Sequence, residues 1–381
     1  MTFQPDIIVI GAGIAGSSIA AHLAAHRKVQ LFDMEDSPGF HSTGRSAAVF
    51  SEAYGNDLIR ALTRASREFF YSPPSGFTAV PLLTPRRALI IANQGQEQAL
   101  EHFMELAREA GHIERKSASE AVALCPVLRP EPLAAAAWST SPADIDVNEL
   151  QQGYLRLFRR RGGISTMSSP ILEIQPGAGG WRIRTKESVA HAPVIVNAAG
   201  AWAGEIGQLA GAIDIGLRPL KRTACLIDPP AGHNIADWPM LLNVEEDFYL
   251  KPDAGLLLLS PADETETSPC DAQADELDIA IAVDRLERAT TLQVRRIASR
   301  WAGLRSFVTD RSPVVGHDPQ QPGFFWLAAL GGYGIQTAPA LSKIAADILL
   351  TGRAGGDSDL HGIDVARMSP ERLTRDVATI D

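Results

Sequence analysis

The residues best suited to chemistry near the start of the chain are a set of closely spaced glycines and one aspartate. The segment Gly11–Gly16 fits the pattern G-x-G-x-x-G, follows the apolar run Asp6–Ile10 and precedes a helical pattern. Such glycines allow a tight turn, a close approach of the backbone to a pyrophosphate, and packing of helix on strand. Asp33 follows the second predicted strand, Val29–Phe32, where a carboxylate can bind a ribose hydroxyl. The spacing predicts a dinucleotide site, and an aspartate here favours FAD or NAD over NADP.

The elements that follow favour FAD over NAD. The chain has no second strand-linked G-x-G-x-x-G, so either NAD acts with an organic substrate or FAD is reduced directly by its substrate. The loop Ser37–Ser46 is polar and broken by glycines, which suits a ligand that extends beyond a pyrophosphate. The predicted strands Pro193–Asn197 and Phe324–Ala329 both run into glycine-containing turns, and the second turn, Gly331–Gln336, leads into a helix. Backbone N–H groups in such turns can bind acceptors. A nucleotide domain built from three separated stretches is more typical of flavoproteins.

The composition is that of an ordinary globular protein, with 45% hydrophobic residues, 21% charged residues and a net charge of −10 over 381 residues. One hydrophobic core rarely exceeds about 300 residues, so the length predicts two domains. The negative charge argues against a nucleic-acid partner. Cys125, Cys225 and Cys270 are far apart, which argues against a disulfide framework or a metal site and favours a reducing, cytoplasmic location. No signal peptide or transmembrane segment is visible, and peripheral attachment to the inner membrane stays open.

The middle of the chain contains strand patterns with few long helices. The sequence predicts a helix over Asp144–Arg161 capped by Asp146, and a half-buried strand over Trp181–Thr185. A Pro-Asp-x-Gly turn within Asp247–Ser260 predicts a hairpin. We therefore expect an antiparallel sheet between the nucleotide-binding stretches. The acidic segment Pro261–Glu276 is the strongest candidate for a mobile loop.

Several runs resemble the FAD-dependent amino-acid oxidoreductases of the D-amino-acid oxidase superfamily (the DAO family), nearest to its bacterial D-arginine dehydrogenases. The matching runs are Gly11–Gly16, Pro38–Ala48, Ala53–Gly55, Asp144–Asp146, Val196–Trp202, Asp237–Leu241, Phe248–Gly255, Trp301–Val308 and Gly331–Thr337. The resemblance implies an α/β fold (α+β overall). In that fold, a Rossmann-like FAD-binding domain (1–48, 145–215 and 310–381) is interleaved with an antiparallel-sheet substrate-binding domain (49–144 and 216–309).

The resemblance also implies which residues bind the cofactor and the substrate. Cofactor-binding positions are Gly11, Gly13, Ile14, Ala15, Gly16, Asp33, Met34, Ser42, Thr43, Gly44, Arg45, Ser46, Ala47, Ala48, Ile171, Ala199, Gly200, Trp202, Gly331, Gly332, Tyr333, Gly334, Ile335 and Gln336. Substrate-pocket positions are Val49, Ser51, Ala88, Met240, Leu242, Tyr333 and Gln336. The catalytic positions are Tyr54, Arg222, Tyr249, Arg305 and Gly332. Two arginines and two tyrosines would hold a carboxylate, since a guanidinium donates two parallel hydrogen bonds and a phenol donates one more.

In this family a hydride passes from the substrate Cα to flavin N5, and water hydrolyses the imino acid to a 2-oxo acid and ammonia. The D configuration of the substrate comes from the resemblance alone. Gly332 would leave room for the substrate and offer its carbonyl to the amino group, and Ser51–Asn56 would form a lid. No metal is implied. The electrons would pass to a quinone, another carrier or oxygen.

The chain departs from the D-arginine-oxidising members at the substrate side chain. Ala88 stands where they have a glutamate that pairs with the guanidinium, and Val49 stands where they have a histidine. An unpaired buried guanidinium costs several kcal/mol, so we expect apolar or neutral D-amino acids to be preferred. Glu52 is either a replacement acid or a solvated lid residue. The alternatives are an N-substituted amino-acid oxidase of the sarcosine or glycine type that produces hydrogen peroxide, a non-catalytic dinucleotide-binding protein, and an NAD dehydrogenase.

Overall fold

The computed structural model describes residues 3–353 and 362–374, in which strands of two large sheets alternate with helices. In chain order the strands are β1 (Ile7–Ile10), β2 (Val29–Phe32), β3 (Val49–Phe50), β4 (Leu83–Pro85), β5 (Ala88–Asn93), β6 (Ile113–Ser117), β7 (Leu133–Ser139), β8 (Ala143–Ile145), β9 (Ile164–Thr166), β10 (Glu173–Gly177), β11 (Gly180–Arg184), β12 (Val189–Ala192), β13 (Val194–Asn197), β14 (Arg218–Ile227), β15 (Met240–Asn243), β16 (Tyr249–Asp253), β17 (Leu256–Ser260), β18 (Thr265–Glu266), β19 (Ile297–Phe307), β20 (Val314–His317) and β21 (Phe324–Ala328). The α-helices are α1 (Ile14–Leu23), α2 (Asp57–Tyr71), α3 (Glu97–Ala107), α4 (Ala118–Leu124), α5 (Val147–Arg160), α6 (Ala203–Ala210), α7 (Glu276–Ala289) and α8 (Gly334–Thr351). Short 3-10 helices cover Arg108–Ala110, Gly200–Trp202, Val365–Met368 and Pro370–Leu373.

The first sheet is the predicted nucleotide-binding sheet. Its six strands lie in the order β20-β21-β13-β1-β2-β9, and β1 pairs in parallel with both β13 and β2. All four residues of β1 are buried, because helices cover one face of the sheet and the three-stranded sheet β10-β11-β12 together with α6 covers the other. Helix α1 packs between α5 and α8 on one face. From β1 the chain passes through α1 to β2 on one side, whereas the neighbour on the other side, β13, comes from later in the chain. Ligands bind at the carboxyl ends of the strands at such a switch in strand order.

The second sheet is larger and supplies the arginines that the sequence singles out. Its strands lie in the order β18-β14-β17-β16-β15-β5-β7-β6, and β19 pairs with β14 along its length. The pairing is antiparallel except between β15 and β5, which run in parallel. The predicted antiparallel sheet is therefore present, with one parallel pair within it. No hairpin links these two strands, so the chain connection does not impose an antiparallel direction on them.

The register of β14 and β19 brings two predicted site residues onto one face. Leu220 is paired with Arg305, and Arg222 is paired with Gly303. Directly paired residues share a face, and so do residues two apart on one strand, so Arg222 and Arg305 are diagonal neighbours. The sheet therefore carries both guanidinium groups toward the same side.

The predicted elements of the middle segment are confirmed with one shift. Helix α5 begins at Val147, and Asp146 caps it by accepting a hydrogen bond of 2.8 Å from the Glu149 amide. Asp144 and Ile145, predicted as helix, lie instead in β8, which pairs with β3 and β4. The strand at Gly180–Arg184 and the hairpin of β16 and β17 are present as predicted.

The segment predicted as a mobile loop is held in place by charged contacts. It contains β18. Its acidic residues contact basic residues of the second sheet and of the loop Ser37–Ser46, which we call the cofactor loop. Glu264 pairs with Arg222, Asp271 pairs with Arg45, and Lys221 pairs with Asp275. The acidic composition that predicts a solvated loop therefore serves here as a set of partners for basic residues.

The division into two domains stays a prediction. Helix α2, which the predicted division gives to the substrate-binding domain, packs against α8, and its Leu58 and Leu62 share a core cluster with α1. A boundary placed after α2 would agree better with this packing. Residues 354–361 and 375–381, assigned to the FAD-binding domain, lie outside the described residues.

In the described part of the chain, none of the helices has the length and apolar character needed to cross a lipid bilayer. The cytoplasmic location stays a prediction. Cys125, Cys225 and Cys270 are free thiols.

Candidate active site

A cavity of about 460 Å³ lies at the carboxyl ends of the first sheet. Predicted cofactor residues in its wall are Gly11, Gly13, Ile14, Ala15, Asp33, Met34, Ser42, Thr43, Arg45, Ser46, Ala47, Ile171, Ala199, Gly200, Trp202, Gly331, Gly332, Gly334 and Ile335. Five predicted cofactor residues are outside this wall: Gly16, Gly44, Ala48, Tyr333 and Gln336. The last three line a second cavity instead. Nineteen of the 24 predicted cofactor residues therefore line this cavity, and three more line the adjoining one.

The glycine turn has the geometry that a pyrophosphate site requires. Gly11 has a φ of +100°, a conformation that favours glycine. A Cβ on Gly16 would lie 1.7 Å from the Gly11 carbonyl oxygen, so α1 can approach β1 only with glycine there. The Thr43 hydroxyl accepts a hydrogen bond of 3.0 Å from the Ile14 amide and fastens the cofactor loop to the helix start. The turn therefore leaves the backbone bare beside the cavity.

Asp33 lies where a ribose would be recognised. Its carboxylate accepts hydrogen bonds from the backbone amides of Ala12 and Glu35, the latter at 2.9 Å. Burial raises the pKa of Asp33, and the two amides act in the opposite direction. A carboxylate fixed this way can accept further hydrogen bonds from ribose hydroxyls. These residues fit the adenosine end of FAD.

Two residues that sequence reasoning missed lie at this end of the cavity. His41 is 2.8 Å from the Glu35 carboxylate, and its ring centroid is 4.5 Å from that of Trp202. All three line the cavity. The only sequence signal for them is their position in the polar loop after Asp33.

The cofactor loop also joins the two sheets. The Ser42 hydroxyl donates to the Leu304 carbonyl, and the Arg45 guanidinium donates to the Ala302 carbonyl at 3.0 Å. In return, the indole of Trp301 donates to the Arg45 carbonyl at 3.0 Å. Arg45 is thus held by β19 and by Asp271, so its role at the cavity is mainly to fix the loop.

The second cavity, of about 480 Å³, adjoins the first. All of the predicted substrate-pocket residues line it: Val49, Ser51, Ala88, Met240, Leu242, Tyr333 and Gln336. Arg222, Tyr249, Arg305 and Gly332 line both cavities, and Tyr54 lines the second. The residues predicted to hold a carboxylate therefore lie where the two spaces meet.

Arg305 is the anion-binding group best supported by the geometry. Its Nη1 donates to the Tyr54 hydroxyl at 3.3 Å, and within residues 3–353 and 362–374 no carboxylate forms an ion pair with it. Burial alone would lower the pKa of Arg305, but Tyr54 and Tyr249 outweigh it and raise this pKa above its ordinary value. A charged, half-buried guanidinium without a carboxylate partner is rare, and it fits an external anion.

Gly332 makes room for this arginine. A Cβ at Gly332 would lie 2.7 Å from Arg305 Nη1 and 2.8 Å from its Cζ. The sequence predicts that Gly332 leaves space for the substrate. The structure adds that any larger residue would displace the guanidinium itself.

Arg222 differs from Arg305, although the sequence treats the two alike. Arg222 is 8% exposed, and its Nε donates to the Asp263 carbonyl at 2.8 Å. Its Nη2 lies 3.2 Å from a Glu264 carboxylate oxygen. Glu264 also pairs with both Nη atoms of Arg311, at 3.0 and 2.8 Å. The charge of Arg222 is therefore already compensated, and its share in binding an external carboxylate is smaller.

Arg311 and Glu264 were missed by sequence reasoning. Arg311 lines the second cavity, adopts a φ of +55° and lies over the Phe307 ring at 3.9 Å. The two residues are 47 positions apart, and the segment containing Glu264 has the composition of a solvated loop. Only the tertiary fold brings them together.

Glu52 is not a solvated lid residue. It is 7% exposed, lines the second cavity and accepts a hydrogen bond of 2.9 Å from Arg67.

Two further predicted residues, Tyr333 and Gln336, line the same cavity. Burial raises the pKa of Tyr333 to about 12, so this phenol is neutral at ordinary pH. Gln336 accepts from the Ser51 amide through Oε1 at 3.2 Å and so connects α8 to the predicted lid.

The comparisons with known proteins agree with this architecture. Residues 6–348 match the DAO family, described as FAD dependent oxidoreductase. Glycine oxidase of Geobacillus kaustophilus is 23% identical over 92% of this chain and 94% of its own length. Its crystal structure superposes with a TM-score of 0.82 at 19% identity, over 97% of this chain and 98% of that one.

Two mouse proteins are similar at the same level. FAD-dependent oxidoreductase domain-containing protein 1 of Mus musculus is 22% identical over 92% of this chain and 82% of its own length. Mitochondrial dimethylglycine dehydrogenase of Mus musculus is 24% identical over 92% of this chain, which spans 43% of that relative. The family match covers most of the chain, and the glycine-turn geometry and the half-buried Asp33 fit an FAD site. The protein belongs to the DAO family of FAD-dependent oxidoreductases.

Proposed function

We propose that the protein catalyses the oxidative deamination of a D-amino acid with an apolar or neutral side chain. Bound FAD supplies the oxidant, which accepts a hydride from the substrate Cα. The resulting imino acid is hydrolysed by water to a 2-oxo acid and ammonia. The protein's own residues bind and orient the substrate, and no protein nucleophile is needed.

The observation that carries the proposal is the position of Arg305. Its guanidinium has no carboxylate partner in the described part of the chain and lies at the junction of the two cavities. A substrate carboxylate bound there, with hydrogen bonds from Tyr54 and Tyr249, would hold the adjacent Cα beside the cofactor cavity. Fixed orientation of the reacting carbon accounts for a large part of catalysis in such an enzyme. We assign Arg222 a supporting electrostatic role and Gly332 the role of admitting Arg305.

The proposed side-chain preference rests on the wall of the second cavity. Ala88, Met240 and Leu242 present apolar groups to it. Of the carboxylates in this wall, Glu52 is bound to Arg67 and Glu246 lies on an exposed loop. A cationic substrate side chain would have to displace Arg67 from Glu52 to gain a buried carboxylate partner. Activity on D-arginine well above that on D-leucine, D-methionine or D-phenylalanine would contradict this preference. The D configuration of the substrate rests only on the resemblance of the chain to the D-amino-acid-oxidising members of the family.

A second candidate is oxidation of an N-substituted amino acid of the sarcosine or glycine type. It is favoured by the similarity to glycine oxidase and dimethylglycine dehydrogenase. Such substrates also carry a carboxylate that Arg305 could bind. They would leave most of a 480 Å³ cavity unfilled, which favours the first candidate.

The test is anaerobic reduction of the flavin by matched sets of D-, L- and N-methyl amino acids. Bleaching of the flavin absorbance by apolar D-amino acids, and weakly or not at all by their L-enantiomers and by sarcosine, is the expected result. Faster bleaching by sarcosine or glycine would favour the second candidate. A protein that is colourless as purified would contradict both. Hydrogen peroxide release in air then separates an oxidase from a dehydrogenase.

A further inference from the structure

The second cavity extends well beyond the residues that would surround an amino-acid head group. Its far wall comes from α3, the 3-10 helix Arg108–Ala110 and strands β5 and β6. We call this part the far chamber, and it is lined by Ile90, Phe103, Leu106, Ala107, Ala110 and Ile113. None of these residues belongs to the predicted site, and none carries a polar side chain.

The order of the strands gives the reach of the cavity. Tyr249, at the carboxylate end, is on β16, and Ile113 is on β6. The strands between them follow the order β16-β15-β5-β7-β6. Four spacings of about 4.8 Å separate β16 from β6, or about 19 Å along the sheet before allowance for twist. The carboxylate end and the far chamber are therefore much further apart than the two ends of an alanine or glycine molecule.

The chamber exists because small residues line it. Ala107 and Ala110 are 3% and 8% exposed, and both face the cavity with a single methyl group. The turn behind them is fixed, because a Cβ on Gly111 would lie 2.4 Å from the Ser141 hydroxyl oxygen. Phe103 and Ile113 pack against the same core cluster as Ile90. The opening is thus part of the packed structure of this layer.

The chemistry changes along the cavity. The end at Arg305 and Tyr249 offers a cation and phenols, whereas the far chamber offers mainly apolar carbon, with Ser139 and Ser141 as the polar residues of the cavity wall beside it. Leu106, at its outer end, is 40% exposed, so the end of a long ligand could approach solvent there. The occupant that matches this gradient has a carboxylate at one end and an extended apolar chain at the other.

We propose that the preferred substrates are 2-amino acids with a long alkyl or aryl-alkyl side chain that reaches the far chamber. This inference rests on the proposed function, since it takes the group at Arg305 to be the substrate carboxylate. It makes Phe103 and Ala110 the residues that determine side-chain length. The same chamber gives no advantage to glycine, alanine or sarcosine.

The test is a chain-length series of D-2-amino acids: alanine, norvaline, norleucine, 2-aminooctanoate, 2-aminododecanoate and 2-aminotetradecanoate, since only the longest members span the distance to the far chamber. Each additional buried CH₂ should raise kcat/KM about fourfold until the chamber is filled. A flat series, or one that falls from alanine onward while D-amino acids still bleach the flavin, would overturn this inference and leave the proposed function standing. Failure of every amino acid to bleach the flavin would instead overturn the proposed function.

Two variants locate the effect. Ala110→Phe should lower kcat/KM for D-2-aminotetradecanoate at least about tenfold more than for D-alanine, because the ring occupies the chamber that only the longer chain reaches. Phe103→Ala should enlarge the chamber and move the optimum of the series to longer chains. His102→Phe, on the exposed side of the same helix, is the matched control and should leave the series unchanged. Equal effects of Ala110→Phe on short and long substrates, in folded protein with FAD bound, would contradict the assignment.

Discussion

The first cavity, which contains the predicted cofactor residues, and the second cavity, which contains the predicted substrate-pocket residues, are formed by different parts of the chain. The first is shaped by backbone, at glycines whose side chains would collide with other main-chain atoms, as Gly16 would with Gly11. The second is shaped by side chains from strands far apart in sequence, and its central group, Arg305, has no carboxylate ion-pair partner among residues 3–353 and 362–374. A site formed by the backbone can therefore be predicted from the local spacing of glycines. A site formed by side chains depends instead on which residues remain without a partner after tertiary packing.

The largest effect on the protein is expected from a substitution in the glycine turn. Gly16→Ala puts a methyl group 1.7 Å from a backbone oxygen, so α1 and β1 must separate. We expect the fold to lose more than about 3 kcal/mol and purified protein to retain little FAD, as measured by urea unfolding and by the ratio of flavin to protein absorbance. Gly204→Ala is the control, because its Cβ would meet its nearest atom only at 3.9 Å. Normal FAD content in the Gly16 variant would show that backbone contact does not shape this site.

A substitution at Arg305 should have the opposite effect, because it should weaken substrate binding and leave FAD bound. Removal of a guanidinium that binds a carboxylate through two charge-assisted hydrogen bonds should raise KM by about 100-fold or more. Arg305→Ala should therefore keep its flavin absorbance and lose substrate affinity, while Arg305→Lys recovers only part of it, because an ammonium lacks the planar fork. Arg300→Ala, on the same strand and half exposed, should behave as wild type. An unchanged KM in Arg305→Ala would refute the carboxylate assignment.

A smaller effect is expected at the phenol that contacts Arg305. Tyr54→Phe removes the hydroxyl that accepts from Arg305 at 3.3 Å and could donate to the substrate. We expect kcat/KM to fall about tenfold, the value of one hydrogen bond to a charged group. Tyr71→Phe, at an exposed tyrosine on α2, serves as the matched control. A Tyr54→Phe variant within twofold of wild type would mean that Arg305 acts without this partner.

The smallest effect concerns Asp33 and the pH dependence of FAD binding. Ribose hydroxyls would donate to the ionised carboxylate, so FAD should bind more tightly above the pKa of Asp33 and more weakly as pH falls through it. Because burial raises this pKa, the loss should begin at a higher pH than for an exposed aspartate. FAD dissociation constants measured between about pH 4 and 8, with folding monitored by circular dichroism, should show a several-fold slope that Asp33→Asn removes. An identical slope in that variant would assign the titration to another group.

The sequence predicts the fold and the cofactor end of the site well, because both depend on local patterns. The glycine turn, the strand before it and Asp33 lie within the first 33 residues, and each is found where its spacing predicts. Arg222 illustrates the limit, since its partner Glu264 is 42 residues away in a segment whose composition suggests a loop. Nothing in the order of residues reveals that Glu264 compensates Arg222, or that Arg305 has no carboxylate ion-pair partner in the described part of the chain. The far chamber is hidden for the same reason, because α3 reaches the cavity only through tertiary packing.

The most direct test of the central claim compares an amino acid with the same molecule lacking its carboxylate. Under anaerobic conditions, D-leucine and 3-methylbutylamine at equal subsaturating concentrations would be mixed with the wild-type protein, and the rate of flavin bleaching recorded. We expect D-leucine to reduce the flavin about 100-fold faster or more, since only D-leucine can bind Arg305 through two charge-assisted hydrogen bonds. Equal rates for the two compounds would contradict the claim that a substrate carboxylate is held where the two cavities meet.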